Sequence, residues 1–403
     1  MKQAILAVLA TAVLMSCASS APQDRSAAVA PAPGEHTRVL ASELARRLAQ
    51  ATRGSVIEFS HFSNLDYVAI TESVTSDDGV EIWQGTIGDG SFWGSAIVAV
   101  EGSEVVGMVQ VDDSIYSIRT EGGELVVTEI DETLFPEEDE PVRGPLREAG
   151  MSRPVAGPRP TEESPVTLRV LLVIPPPLAK YCSPPSSRLI ASMSKASLDG
   201  VWKRFTHGAV GSGVSVYCTP HDSAGGNLLS DLEWVTNDPD VQEQRRVTNS
   251  NLVAFIVPEA SSCGISNANY PVTDAGASAR AFSVVRLDCA WENYSLAHEL
   301  GHQLGMDHDR YTIKGGYYDR CNYGFSFRKD DKPVARDVMA YSGYCTSLGL
   351  TCPRIGTYSY ADTIDGVQLG VPCSVTGDLS PATGAANNVE ELLKAAPVAA
   401  TWH

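Results

Sequence analysis

The sequence predicts two folded parts, a small antiparallel β-rich domain over residues 36–135 and an α/β domain with a mostly parallel sheet over residues 166–403. Three observations predict this division. The chain has 403 residues, more than the roughly 250–300 at which one hydrophobic core stops growing. Short apolar runs split by acidic and glycine-rich turns fill residues 55–131, a pattern typical of antiparallel strands. Beyond residue 166, strand-like runs alternate with segments of helical periodicity, which indicates a parallel sheet covered by helices.

Charge is distributed unevenly along the chain. Its 49 Asp and Glu outnumber 30 Lys and Arg, which gives a net charge of −19. Residues 51–150 alone hold 21 acidic residues, four Arg and no Lys. This acidity excludes nucleic acid and anionic membrane surfaces as partners. With 43% hydrophobic residues, the composition also excludes a disordered, collagen-like or polytopic membrane protein.

The N-terminus has the pattern of an export signal. Lys2 precedes an apolar run over residues 4–15 that ends in Ser16-Cys17, and such a run is too short to cross a bilayer as a helix. Residues 14–17 also resemble the lipobox of bacterial lipoproteins. We therefore expect residues 1–16 to be a lipoprotein signal peptide and Cys17 to carry a lipid that anchors the exported protein to the cell envelope. The alternative is an ordinary signal peptide, cut nearby, that removes Cys17.

The segments up to residue 135 are assigned from composition and spacing. Residues 17–35, rich in Ala, Ser and Pro, predict a flexible tether. Residues 36–52 carry Leu40, Leu44 and Leu48 at four-residue spacing, which predicts a short amphipathic helix. Strands are then predicted at residues 67–71, 81–87, 95–100, 104–111 and 124–130.

Residues 136–165 connect the two parts. They hold seven prolines, which disfavour helices and central strands because proline lacks an amide proton. They also hold four arginines, at positions 143, 147, 153 and 159. We predict a linker without regular elements that is exposed to proteases.

The second part is assigned from its alternating patterns. Strands are predicted at residues 166–174, 214–217, 252–257 and 281–285, and helices at residues 186–207 and 239–248. Residues 310–336 have no pattern that assigns their structure.

Cysteine usage agrees with export. Residues 18–181 hold no cysteine, and the last eight are an even number, which indicates up to four disulfides formed in an oxidising compartment. These are Cys182, Cys218, Cys263, Cys289, Cys321, Cys345, Cys352 and Cys373. Their spacing alone does not fix the pairing. The alternative, a zinc site made of cysteines, is disfavoured because no two of them are spaced as CxxC.

One cluster of residues carries metal chemistry. His298 and His302 are four apart, so on a helix both imidazoles point the same way, as two ligands of a tetrahedral zinc do. Gly305 allows a sharp turn that brings His308 in as the third ligand. Three histidines leave one position of the zinc open, which marks a catalytic site with a single zinc ion. Glu299, beside the first ligand, is positioned to act as a general base.

The motif over residues 298–308 resembles HExxHxxGxxH, the signature of the metzincin zinc endopeptidases. Those enzymes also have a methionine turn beneath the metal, which Met339 in Asp337-Val338-Met339-Ala340-Tyr341 matches. Asp309 resembles the adamalysin/reprolysin branch, and Tyr341 resembles the astacins and serralysins. The combination is similar to bacterial reprolysin-like enzymes, including the peptidyl-Asp metallopeptidase type. The resemblance covers roughly residues 166–403 and includes Cys263-Gly264-Ile265 and Asn387-Asn388.

The resemblance implies a fold and a set of roles. It implies a mixed, mostly parallel five-stranded sheet with an active-site helix, Glu299 as general base, and Tyr341 as a zinc ligand at rest that then hydrogen-bonds the oxyanion. Met339 would only pack beneath the site. Protein or peptide substrates would lie along an edge strand near residues 263–270. Together with sequence proximity, it suggests the disulfides Cys263–Cys289, Cys321–Cys345 and Cys352–Cys373, which leaves Cys182–Cys218.

The β-rich domain resembles a propeptide, so we predict a zymogen in which this domain covers the zinc as an intramolecular inhibitor until the linker is cut. The cut would also release the catalytic domain from its lipid anchor to the periplasm or extracellular space. Because residues 18–165 lack cysteine, no propeptide thiol can block the zinc, whereas a block by an aspartate stays open. Three alternatives remain: a permanent anchored spacer, a catalytically silent zinc-binding lipoprotein, and a zinc hydrolase acting on a non-peptide amide.

Overall fold

In the computed structural model, residues Thr37–His403 form one compact unit. The structure describes residues 39–58, 68–87, 94–111, 114–143, 157–223, 225–273, 276–314, 316, 320–375 and 377–403. The predicted signal peptide, Cys17 and the tether lie outside the described residues. Within the described part of the chain, no helix has both the length and the apolar character needed to cross a membrane.

Among its described residues, the N-terminal part forms an eight-stranded antiparallel sheet in the order β1-β8-β7-β6-β5-β4-β3-β2 and one helix. Its elements are β1 (Val39–Leu40), α1 (Ala41–Ala49), β2 (Val56–Glu58), β3 (Val68–Asp77), β4 (Val80–Ile87), β5 (Ser95–Glu101), β6 (Glu104–Val111), β7 (Ser114–Glu121) and β8 (Glu124–Ile130). Helix α1 lies within the predicted helix and buries Leu44 and Leu48. The sequence prediction missed β7, although acidic and glycine turns border it on both sides.

Both faces of this sheet are covered. Trp83, Val98 and Val109 pack in a core cluster with Leu44 of α1. Other side chains of the central strands, among them Ile82 and Ile97, belong instead to the large core of the second part. Burial on both faces explains why β5 and β6 are nearly continuous apolar runs rather than alternating ones.

The second part is built around a mixed sheet in the order β11-β10-β12-β14-β13-β9. Its elements are β9 (Val142–Arg143), β10 (Val166–Ile174), α2 (Ser186–Lys203), β11 (Val210–Cys218), α3 (Leu228–Asn237), α4 (Pro239–Val247), β12 (Leu252–Val257), β13 (Gly264–Ala268), β14 (Phe282–Arg286) and α5 (Ser295–Gln303). Strand β13 is antiparallel to β14, whereas the other neighbours are parallel. One face packs with α2 and α5 and the other with α3 and α4, so β12 and residues 170–174 of β10 are apolar throughout.

Two sequence predictions are corrected at the edge of this sheet. The sheet has six strands rather than five, because β9 pairs in parallel with Asn267 and Ala268 of β13. Strand β9 lies inside the linker predicted to hold no regular element. That prediction was wrong for residues 142–143, because an edge strand supplies hydrogen-bond partners that a free linker lacks.

The sequence prediction also missed helix α3. Asn227 caps this helix, and Leu228, Leu232 and Val235 form its buried stripe.

The C-terminal part adds a small antiparallel sheet, in the order β16-β15-β18-β17, and a last helix. Its elements are β15 (Ser326–Lys329), β16 (Lys332–Arg336), α6 (Gly343–Ser347), β17 (Thr363–Ile364), β18 (Val367–Gln368) and α7 (Asn388–Ala399). The hairpin β15–β16 gives structure to part of the segment that the sequence left unassigned. Helix α7 begins where the Asn387 side chain accepts the amide proton of Glu390.

Four disulfides join the eight cysteines of the second part. Cys182–Cys218 and Cys263–Cys289 are paired as predicted. The other two predicted pairs, Cys321–Cys345 and Cys352–Cys373, are wrong, since the structure has Cys321–Cys373 and Cys345–Cys352.

Local folding explains the actual pairs. Helix α6 ends two residues after Cys345, and the chain turns back so that Cys352 meets it. Val371 pairs with Ala386, and the next amide, of Asn387, donates to the carbonyl of Cys321. Cys373 therefore lies beside Cys321.

A buried acid links the two parts. Glu292, in the loop before α5, accepts a hydrogen bond of 2.9 Å from the Ser117 hydroxyl of β7. Burial raises the pKa of this carboxyl from 4.5 to about 7. The folded protein therefore favours the neutral form of Glu292.

We expect this contact to weaken as pH rises. The contribution of Glu292 is fully present below its unfolded pKa near 4.5 and is lost as pH rises through about 7. Between pH 5 and 8 the wild type should lose on the order of 1–3 kcal/mol of unfolding free energy relative to Glu292→Gln, which never ionises. Denaturant unfolding of both proteins at the two pH values measures this difference. Equal losses in the two proteins would show that Glu292 does not titrate in this range.

Candidate active site

Helix α5 places three site residues on one buried surface. His298 and His302 are one turn apart, and their Nε2 atoms lie 3.1 Å from each other. Glu299 lies between them in sequence, and all three side chains are fully buried. The four-residue spacing therefore produces the convergence that the sequence predicted.

Gly305 reverses the chain after α5. Its φ of +88° is a left-handed conformation, and a Cβ there would come 3.1 Å from Val272, so a larger residue would be both strained and crowded. The reversal brings His308 to the site, with its Nε2 at 3.0 Å from His302 Nε2 and 3.2 Å from His298 Nε2. The structure thus joins the three histidines predicted as ligands.

The surroundings fix which ring nitrogens face the centre. The Nδ1 of His298 lies 2.8 Å from the carbonyl oxygen of Val338, and the Nδ1 of His302 lies 3.0 Å from that of Met306. A carbonyl only accepts, so each Nδ1 carries the proton and each Nε2 presents a lone pair. Lone pairs about 3 Å apart repel one another unless a cation lies between them, and burial lowers the pKa of His302 to about 3, which keeps the ring neutral. The donor set therefore fits Zn²⁺, which histidines bind through such nitrogens, and these three residues form a group able to hold a metal.

The methionine turn supports the first ligand. Met339 is fully buried, and a Cβ on Gly301 of α5 would come 2.6 Å from its sulfur. The helix and the turn can approach this closely only because residue 301 has no side chain. Val338, which orients His298, precedes Met339 directly, so the turn acts by packing and by positioning a ligand.

Glu299 has the surroundings of a functional carboxylate. Among the described residues, neither of its carboxylate oxygens has a hydrogen-bond partner, which is rare for a buried acid. Burial raises its pKa well above the usual range, and the negative charges of Glu138 and Asp139 add to this effect. A Cβ on Gly264 of the edge strand β13 would come 2.5 Å from a carboxylate oxygen, so the strand approaches Glu299 because it carries no side chain there.

Tyr341 lies beside two of the histidines. Its ring centroid is 4.2 Å from that of His308 and 5.8 Å from that of His298. Its backbone amide donates 3.0 Å to the carboxylate of Asp309, which fixes the tyrosine next to the third ligand. Its hydroxyl donates 2.7 Å to the backbone carbonyl of Glu138, and burial raises its pKa, so it remains a donor at neutral pH.

Residues 137–143, which we call the cleft segment, run through this site. The amide of Asp139 donates 2.8 Å to the carbonyl of Gly264, and β9 continues the pairing along β13. The segment therefore occupies the edge strand near residues 263–270 where the sequence placed a substrate. Its Glu137 carboxylate accepts from the amide and hydroxyl of Ser342, at 3.0 and 2.6 Å.

The Glu138 side chain enters a buried pocket. Its two carboxylate oxygens accept from the Arg354 guanidinium at 2.6 and 3.0 Å, and one of them also accepts from the Ser295 hydroxyl at 2.6 Å. Both side chains of this ion pair are almost wholly buried, at 0% and 1% exposure. Burial alone would raise the pKa of Glu138, but Arg354 holds it well below its usual range, so the pocket holds a carboxylate.

The segment ends on a second ion pair. Arg143 binds both carboxylate oxygens of Asp307 at 2.8 and 3.0 Å, directly before the ligand His308. The Glu140 carboxylate lies 3.7 Å from His308 Nδ1. The cleft segment therefore contacts Ser342 through Glu137 at its start and Asp307 through Arg143 at its end.

Sequence analysis missed Arg354, Glu138 and Ser295. The available signal was the run Glu137-Glu138-Asp139-Glu140, which is denser in charge than a turn requires. Its partner Arg354 stands alone in the sequence, 216 residues later, and nothing in its neighbourhood marks it.

Comparisons with known proteins agree with this geometry. A peptidyl-Asp metalloendopeptidase of Stenotrophomonas maltophilia (strain R551-3) is 24% identical over 355 residues, which cover 81% of this chain and 80% of the relative. One of Xanthomonas campestris pv. campestris is 26% identical over 337 residues, covering 76% and 75%.

Two solved structures have a weaker likeness. A chaperone–substrate complex aligns with a TM-score of 0.42 and 14% identity, over 76% of this chain and 43% of that chain. Metalloproteinase-II of Bacteroides fragilis aligns with a TM-score of 0.32 and 12% identity, over 60% and 77%.

The family model for M12B reprolysin-like metallopeptidases matches residues 215–309. The matched residues include α5 with Glu299, the turn at Gly305 and all three histidines. Since the matched family consists of metallopeptidases and the three histidines converge as a group able to hold a metal, the chain is a zinc metalloendopeptidase that is similar to the reprolysin-like enzymes.

Proposed function

We propose that this chain is an exported endopeptidase made as a zymogen, in which the cleft segment blocks the active site and Glu299 is the general base. The observation that carries the proposal is the path of residues 137–143. These residues pair with β13, accept a hydrogen bond from Tyr341 and fill the Arg354 pocket. A substrate therefore cannot lie along the same edge at the same time. The β-rich domain of the sequence prediction is then the propeptide.

His298, His302 and His308 would hold the zinc, which when bound acidifies a water molecule and polarises a carbonyl. Glu299 lies beside the ligands with both carboxylate oxygens available. A carboxylate oxygen takes a proton from the attacking water as the new C–O bond forms. The same carboxyl then delivers that proton to the amide nitrogen as the C–N bond breaks.

Tyr341 supplies a hydrogen-bond donor to a peptide carbonyl. In the structure its hydroxyl already donates to such a carbonyl, that of Glu138. We infer that it donates in the same way to the substrate carbonyl, on which negative charge develops during the reaction. A donor placed before the reaction stabilises that charge more than it stabilises the ground state.

Latency would rest on several contacts acting together. The cleft segment adds backbone pairing, a buried ion pair at Arg354 and a second ion pair at Asp307. Removing Glu138 or Arg143 leaves the buried charge of Arg354 or Asp307 without its counter-charge, which is costly. The sheet of the N-terminal part, packed on α2, holds the segment at a high local concentration.

The relatives named above are called peptidyl-Asp metalloendopeptidases. We propose that this chain likewise acts on peptides that contain aspartate. The proposal also includes export, the signal peptide over residues 1–16 and a lipid on Cys17. Cutting the linker would release residues 166–403, which we call the catalytic part. Cell fractionation before and after that cut tests release, which is contradicted if both fragments stay with the membranes.

The base role of Glu299 predicts a separation of metal binding from turnover. Glu299→Gln should retain one zinc per chain and lose about 10²- to 10⁴-fold in kcat, because the proton acceptor is gone while the ligands remain. Metal analysis and peptide hydrolysis by the linker-cut protein measure the two effects. A chelator should abolish wild-type activity, and undiminished hydrolysis by metal-free protein would contradict the whole assignment.

The donor role of Tyr341 predicts a selective effect on the chemical step. Tyr341→Phe keeps the ring packed against the histidines but removes the hydroxyl. We expect kcat to fall about 10- to 10³-fold with a smaller change in KM. Steady-state kinetics of the linker-cut variant check this, and unchanged kcat would make the tyrosine purely structural.

The block by the cleft segment predicts that intact Glu138→Gln is less latent than the wild type. The amide cannot replace the carboxylate against Arg354, so the uncut variant should hydrolyse peptide about 10-fold faster or more. Rates of uncut proteins on one peptide measure it.

Glu101→Gln is the matched control, because Glu101 also pairs with an arginine of the second part, Arg188, but on α2 rather than in the cleft. It should leave latency unchanged. Equal rates for intact and linker-cut wild type would contradict latency altogether.

A further inference from the structure

Arg354 is a buried cation that depends on the cleft segment for its counter-charge. Its guanidinium is 1% exposed and pairs with Glu138 and, at 3.6 Å, with Glu137. Among the described residues, these are the carboxylates in its ion pairs, and both lie on the cleft segment. When the segment leaves, Arg354 loses both of these counter-charges, because neither carboxylate belongs to the catalytic part.

Residues of the catalytic part contact the guanidinium, whereas the Arg354 backbone also bonds Glu132 and Gln110 of the N-terminal part. Ser295, at the first position of α5, points its hydroxyl at the bound carboxylate, and the carbonyl of Asn293 accepts from Arg354 Nη1 at 3.0 Å. A parallel bridge from Arg336 to Arg354 and a hydrogen bond from the amide of Ile355 to Arg336 hold the arginine's backbone. The guanidinium is thus fixed in orientation, as two-pronged recognition of a carboxylate requires.

The pocket opens next to the reacting centre. Glu138 fills the pocket with its side chain, and its backbone carbonyl accepts a hydrogen bond from the Tyr341 hydroxyl. The Tyr341 ring lies beside His298 and His308. Asp139, the neighbour of Glu138, pairs with Gly264, which faces Glu299. A peptide bound along this edge would therefore present a side chain to Arg354 within one residue of its scissile bond.

We propose that Arg354 determines specificity, and that in the active enzyme its pocket binds the carboxylate of an acidic substrate residue adjacent to the scissile bond. In the zymogen Glu138 occupies the place of that residue. Arg354 loses its counter-charge when the cleft segment leaves, and a substrate carboxylate restores a charge-assisted, two-pronged bond that a neutral side chain cannot form. This inference rests on the proposed endopeptidase function and assigns the residue that selects its substrates.

The test compares peptides that differ only in whether one side chain ends in a carboxylate or in the corresponding amide. Full-length protein is cut in its linker with trypsin, and both fragments stay in solution. Peptide pairs carry Asp or Asn, or Glu or Gln, at one position. We expect the wild type to prefer the acid of at least one pair by about 10²-fold in kcat/KM, as sites built around one polar group do. Arg354→Gln should reduce that ratio to about twofold or less, and Arg354→Lys should leave an intermediate ratio because it keeps charge without the fork.

Arg188→Gln is the matched control. Arg188 also pairs with a carboxylate of the N-terminal part, but it lies on α2, so the ratio should not change. Mass spectrometry of a digested unfolded protein locates the cuts, which should fall directly beside Asp or Glu. A wild type without acidic preference, or an Arg354→Gln variant that keeps it, overturns the inference.

Binding provides a readout that needs no turnover. In Glu299→Gln protein, the affinity for the same peptides is measured by fluorescence anisotropy, and the acidic peptide should bind about 10-fold or more tightly than its amide. Adding Arg354→Gln should remove the difference, and equal affinities before that change contradict the inference. Chelator-sensitive hydrolysis of unfolded protein reports the proposed function separately, so an active enzyme without acidic preference refutes only the role of Arg354.

Discussion

Three imidazole Nε2 atoms held about 3 Å apart in a buried site are the constraint around which this cleft is organised. Lone pairs on such atoms repel in the absence of a cation, so covalent spacing and packing must hold them together. Helix α5 fixes two of them, Gly305 turns the chain back with the third, and the carbonyls of Val338 and Met306 orient two rings. Glycines at 264 and 301 let the edge strand and the methionine turn approach. These residues come from distant parts of the sequence, and all of them position groups around the three histidines.

The uneven charge of the sequence has a physical use in this arrangement. The catalytic part presents Arg354 and the ligand histidines to the cleft, and the N-terminal part presents Glu137, Glu138, Asp139 and Glu140. Attraction between a buried arginine and a carboxylate does not offset their desolvation unless hydrogen bonds complete the site, and Ser295 supplies one here. Acidic residues near the cleft therefore help to hold the cleft segment in place, whereas those at distant turns keep the surface hydrated.

Sequence reasoning succeeded where local spacing determines the outcome. The three histidines lie within eleven positions of one another, and β12 and residues 170–174 of β10 follow from continuous apolar runs. It failed where contacts depend on docking. Glu138 and Arg354 meet only because the N-terminal sheet packs on α2 and directs residues 137–143 along β13. The sixth strand of the sheet, β9, also forms only through this docking. The actual partner of Cys321 depends on a bridge between Val371 and Ala386, which no local sequence pattern predicts.

In the proposed zymogen, the block and the substrate would use the same edge strand, β13. An exposed edge offers unpaired amides and carbonyls to any extended peptide, so a protease that uses such an edge must cover it until it is needed. The cleft segment covers it as a strand, and it fills the pocket of Arg354 with a carboxylate of its own. An inhibitory segment that satisfies the same backbone and side-chain partners as a substrate leaves few buried groups unpaired in the latent state. With the roles proposed for Arg354, the selectivity of the active site and the stability of its block would come from the same arginine.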